Sequence, residues 1–131
     1  MPRATGPFDV TLKPQTTATT AGLGRFSIDK QFRGDLEAIS KGEMLSAGGH
    51  IQGSAGYVAI ERVSGILHGK NGSFILQHSG TMTRGTPQLT VTVIPDTGTD
   101  QLTGLTGSMK IDIAAGGKHS YIFEYSVPDA H

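Results

Sequence analysis

The chain has 131 residues, with eleven basic side chains against eleven acidic ones, nineteen glycines, six prolines and no cysteine. That length fits one domain burying roughly two-thirds of the surface its unfolded form exposes. The balanced charge excludes the positive field that gathers nucleic acid, and the lack of cysteine excludes disulfides and thiolate chemistry.

Glycine, threonine and serine together suit an all-β chain with many tight turns. The N-terminus, MPRATGPFDV, lacks the basic-then-apolar pattern of a signal peptide, and no apolar run approaches a membrane span. The expectation is a cytoplasmic protein with no membrane contact, one domain over 1–131 and an ordered core over about 6–127.

In chain order, residues 7–13 place Phe8, Val10 and Leu12 on one face of a predicted strand. Residues 25–33 do the same with Phe26, Ile28 and Phe32, and residues 35–46 with Leu36, Ala38 and Met44. Gly34 is expected to mark a turn and Gly42 a bulge. A long β-branched run over 57–68 is mirrored by residues 73–83 across Gly69-Lys70-Asn71-Gly72, where the Asn-Gly pair predicts the hairpin turn. Residues 89–94, 109–114 and 119–127 complete eight predicted strands, the last two turned by Gly116-Gly117. Between 95 and 107, Thr99 is expected to cap one short helical turn through Leu102, ended by Gly104. Nearly consecutive hairpins favour a single eight-stranded antiparallel up-and-down β-barrel over a sandwich, because closure leaves no open edge.

Familiar catalytic motifs are missing. The segment Gly65 to Asn71 is one residue short of a phosphate-binding loop, ends in Asn and lies in a hairpin. Asn71-Gly72-Ser73 satisfies the glycosylation sequon, but the hairpin accounts for it. Histidines 50, 68, 78, 119 and 131 form no close pair, so no metal is expected.

Strand parity singles out other candidates. His78 shares the face of Phe74, Leu76 and Met82, and His119 that of Tyr121, Phe123 and Tyr125. If those faces line the lumen, each is an imidazole able to move a proton near neutrality; the alternative is a core histidine bonded to a neighbour. Lys30 lies between Ile28 and Phe32, and Arg62 between Ile60 and Ser64, so strict alternation sends both inward, where buried cations need partners: either they meet an anionic ligand group near an opening, or a bulge returns them to solvent. The opposite parity of the fourth strand turns Tyr57, Ala59 and Glu61 inward instead, making Glu61 a buried carboxylate of raised pKa. One bulge would exchange the two readings. Ile39, Val63 and Ile75 are expected on the outer face, where they point to a homo-oligomer.

The segments GRFSIDKQFRGDLEAISKGEML (24–45), GSAGYVAIERVSGILHGKNGSFILQHSGTM (53–82), TGTDQLTGLTGSMKIDI (97–113) and GKHSYIFEY (117–125) carry a resemblance to domain-of-unknown-function family 3224. These are small bacterial proteins similar to the allene oxide cyclase-like, calycin-type barrel. The likeness spans 6–127, and the loop from Gly98-Thr99 to Gly107 resembles the G-T-G-x-x-x-G element of plant allene oxide cyclases and dirigent proteins. It implies the barrel. It carries no catalytic residues over, since fold does not transfer chemistry.

Three functional readings follow. In the first, an apolar lumen with Tyr57, Tyr121, Tyr125, Lys30 and Arg62 binds a small hydrophobic or weakly anionic organic molecule. In the second, a cofactor-independent isomerase or cyclase steers its substrate's conformation while His78, His119 or Glu61 moves a proton. In the third, the interior is filled and the barrel is an interaction module. All three dispense with a cofactor.

Overall fold

The computed structural model describes residues 2–15 and 22–128; His131 lies outside them. Eight strands, β1 (Arg3–Pro14), β2 (Leu23–Phe32), β3 (Leu36–Gly48), β4 (Ala55–Leu67), β5 (Lys70–Thr83), β6 (Thr86–Val93), β7 (Thr106–Ile113) and β8 (His119–Ser126), run in chain order. Each pairs antiparallel with its neighbour, and β1 closes on β8 to complete the barrel. One 3₁₀ turn, Asp100–Leu102, lies in the β6–β7 connection. No helix among the described residues is long and apolar enough to cross a membrane.

Period-two alternation decides what each strand contributes to the lumen. On β4, Ala59, Glu61, Val63 and Leu67 are buried while Val58, Ile60 and Arg62 face out. Arg62 therefore does not enter the lumen. Its guanidinium lies outside the barrel wall and donates to the buried Ser73 Oγ at 3.2 Å. The physical reason is an unbroken ladder: β3 and β4 pair continuously from Leu36–Leu67 to Gly48–Ala55. Gly42 is not a bulge but the partner of Glu61, and a Cβ there would press on Glu61 Cα and Cβ at 2.6 and 2.8 Å. Val63 is fully buried, whereas Ile39 and Ile75 are outward as expected.

The β4–β5 turn also differs from the predicted one. Leu67 pairs with Lys70, so the turn is His68-Gly69, at φ 46° and 79°. Both positions of such a two-residue turn need positive φ, which glycine supplies freely and histidine tolerates. Asn71-Gly72 lies inside β5, where Gly72 is required for another reason: a Cβ would collide with the carbonyl oxygen of Thr99. The helical turn after Thr99 is present, but Thr99 makes no side-chain cap. Its hydroxyl instead accepts from the Ser73 backbone N–H at 3.0 Å, clasping the β6–β7 connection to β5.

The lumen has two unlike halves. At the end holding the β2–β3, β4–β5 and β6–β7 connections it is filled by Phe32, Leu36, Leu67, Phe74, Leu76 and Phe123, with Leu102 and Leu105 driven in from the β6–β7 loop. Each such side chain stabilises the fold by about 1.5–3 kcal/mol through burial. Tyr121 ties this end shut: its hydroxyl accepts from the Leu36 N–H at 2.9 Å and donates to the Arg33 carbonyl at 2.6 Å. The other half is lined at several inward positions by small residues, among them Ala59 and Gly80. It stays open. Its wall is weakest where β6 and β7 share the single residue pair Thr92–Ser108.

Candidate functional site

The open half holds a cavity of about 480 Å³. Its walls are Val10, Ile28, Met44, Leu89, Ile111 and other apolar side chains, and its polar groups include Lys30, Tyr57, His78 and His119. Exposed Leu12, Met82 and Ile113 form the rim. A volume of this size is ordinary for a pocket that encloses a small organic molecule.

Four adjacent strands supply a charged cluster where the cavity meets the filled half. Lys30 comes from β2, Ser40 from β3, Glu61 from β4 and His78 from β5, each at an inward position. Lys30 is directly opposite Ser40, and His78 is one step along the inward face from Leu76, the partner of Glu61. Such diagonal neighbours lie within reach of long side chains.

Glu61 is the hub. Its Oε2 accepts from Lys30 Nζ at 2.7 Å and from His78 Nε2 at 2.6 Å, and its Oε1 accepts from Ser40 Oγ at 2.8 Å. Both oxygens are thus satisfied in a fully buried carboxylate. Burial is the largest single effect and would raise its pKa, but the hydrogen bonds and charges of His78 and Lys30 together outweigh it and lower the value from 4.5 to about 2. The raised value expected of a buried Glu61 is therefore corrected: it is an ionised acceptor, not a proton donor. Its hydrogen bond also fixes the His78 ring. With Nε2–H directed at Glu61, the His78 ring turns Nδ1 towards the Tyr57 hydroxyl, 3.4 Å away. Burial, reinforced by the Glu61 charge, raises the Tyr57 pKa, so the phenol remains a donor. Lys30 Nζ also lies 5.2 Å from the Phe8 ring centroid and 5.7 Å from that of Phe32.

The structure thus gathers Lys30, Tyr57, Glu61 and His78 into one constellation. His119 lines the same cavity but stands apart from the hydrogen-bonded cluster, its ring 5.2 Å from that of Phe8. Tyr121 and Tyr125 are not cavity residues. Both are buried in the filled half, Tyr121 tying the β2–β3 turn and Tyr125 holding its hydroxyl 2.5 Å from His68 Nδ1. The parity argument placed them inward correctly, but parity does not tell one half of a lumen from the other. Ser40 was not among the sequence candidates. Its signal was a lone hydroxyl on the inward face that Leu36 and Ala38 define. Among the described residues, no three His, Asp or Glu side chains converge as a metal-ligand set.

Residues 4–125 match the model of a family described as protein of unknown function (DUF3224). Among solved structures, the crystal structure of a DUF3224-family protein of unknown function from Shewanella oneidensis MR-1 is 51% identical, with a TM-score of 0.92. The match covers 99% of each chain. No curated protein matches. With the family model spanning nearly the whole barrel and a solved relative sharing half its residues, the chain belongs to the DUF3224 family.

Proposed function

We propose that the protein binds a small, largely apolar organic molecule in the open half of its barrel, polar end inward. The observation that carries this reading is the division of the lumen. A barrel built only as a scaffold gains nothing from leaving about 480 Å³ open beside a buried ion pair, because side chains filling that space would add stability. The apolar walls supply affinity, and Lys30, Tyr57 and His78 supply orientation. Native mass spectrometry of the purified protein tests it: one small molecule should accompany the chain or be taken up from an apolar library. A Ser46→Trp variant, which places an indole at a half-buried cavity-wall position, should take up none.

A cofactor-independent isomerase or cyclase is the second reading, favoured specifically by the Glu61–His78 contact. A carboxylate that fixes one imidazole nitrogen leaves the other as a proton acceptor of defined direction. His78 Nδ1 would take a proton from a bound substrate carbon and return it elsewhere on the same molecule. Deuterium incorporated into a bound ligand from heavy water, and lost in His78→Gln while binding persists, supports catalysis; a ligand recovered without deuterium supports binding alone. The outward Ile39, Val58, Ile60 and Ile66 make self-association of the β3–β4 face part of this proposal.

A further inference from the structure

We infer that the cavity selects a neutral carbonyl compound, such as a medium-chain ester or ketone, over the carboxylate of the same chain. This rests on the binding reading above. Among the described residues, Lys30 is the one Lys or Arg lining the cavity, and its charge is already matched. Glu61 lies 2.7 Å from Nζ, and both side chains are almost wholly withdrawn from solvent. A ligand carboxylate reaching Nζ would put two anions around one ammonium in a desolvated site, where like charges repel strongly.

A neutral acceptor meets no such penalty. An ammonium has three donors. Among the described residues, Lys30 Nζ hydrogen-bonds to Glu61 Oε2 alone, and the Phe8 and Phe32 rings beside it are not hydrogen-bond acceptors of comparable strength. Donors therefore remain for a carbonyl oxygen entering from the cavity. A buried donor left without a partner is costly, so occupancy by such an oxygen is favoured. The other members of the cluster do not alter the balance: Glu61 is saturated, and His78 is engaged at both ring nitrogens, Nε2 with Glu61 and Nδ1 with the Tyr57 hydroxyl.

Displacement of Nile red, a neutral apolar dye, from the full chain at about pH 8, where a free carboxylic acid is ionised, tests the inference with methyl decanoate and decanoate. The wild-type protein should bind the ester at least about tenfold more tightly. Because an ester is also the more apolar molecule, two variants separate charge matching from apolarity. Glu61→Gln frees the Lys30 charge and should reverse the preference towards decanoate; Lys30→Met should weaken the ester several-fold. Equal affinity for both probes in the wild type overturns the selectivity, and so does an ester preference unchanged in Glu61→Gln or an ester affinity unchanged in Lys30→Met. In those cases binding in the barrel still stands. Failure of the protein to take up the dye or either probe instead overturns the binding reading itself.

Discussion

Replacing Glu61 with Gln keeps the shape of the side chain and removes its charge, leaving the Lys30 ammonium buried without its counter-ion. A carboxyl lowered from 4.5 to about 2 on folding contributes roughly 3 kcal/mol at neutral pH, at about 1.4 kcal/mol for each tenfold change. Breaking one side of a buried ion pair costs a similar amount, about 3–5 kcal/mol. With a urea dependence of about 2 kcal/mol per molar, the Glu61→Gln midpoint should fall by about 1.5 M. Adding Lys30→Met to the same chain should restore at least about 1 kcal/mol, since the orphaned charge is gone. The sign with pH follows from the lowered pKa. The Glu61 contribution is complete above 4.5, the unfolded value, and is lost as pH falls towards about 2. The wild-type and Glu61→Gln stabilities should therefore converge between those values. A Glu61→Gln protein within about 0.5 kcal/mol of wild type at neutral pH would refute the reasoning, because surface substitutions of no structural consequence fall in that range.

Tyr121→Phe should lower stability by about 1–3 kcal/mol in urea titration, because the Leu36 N–H loses the hydroxyl it donates to. Gly72→Ala should destabilise more than Asn71→Ala, since only the former pushes a methyl group into the Thr99 carbonyl; thermal melts of both variants decide it. Amide hydrogen exchange should be fastest in the strand residues flanking the single Thr92–Ser108 pair, on the β6–β7 side, and slowest across the long β3–β4–β5 ladders.

The barrel was legible because it is written locally. Alternation gave Phe8, Ile28, Leu36 and Phe74 their inward faces, and the Gly116-Gly117 turn stands where the sequence indicated, with both residues at positive φ. The site was less so, because it depends on register between strands. A four-residue turn over 69–72 would set Glu61 opposite Gly80 and His78 opposite Val63. The actual His68-Gly69 turn sets Glu61 opposite Leu76 and brings His78 alongside it. Asn71-Gly72 was misleading because a glycine needed for close approach to Thr99 looks the same in sequence as a glycine needed for positive φ. Parity for Lys30 held because Ile28 and Phe32 flank it unambiguously. On β4 both faces carry aliphatic residues, Ile60 and Val58 outside against Val63 and Leu67 inside, so the alternation that sends Arg62 inward fits Glu61 equally well.

We propose that the open half of the lumen receives an apolar molecule whose polar end meets Lys30. Methyl and aromatic chemical shifts recorded while methyl decanoate is titrated into the protein test it most directly. Saturable shifts are expected at Met44, Ile28, Ile111 and Tyr57, with Leu102 and Leu105 unmoved in the filled half. Shifts confined to the outer residues Ile39, Val58 and Ile60, or none that saturate, would contradict it.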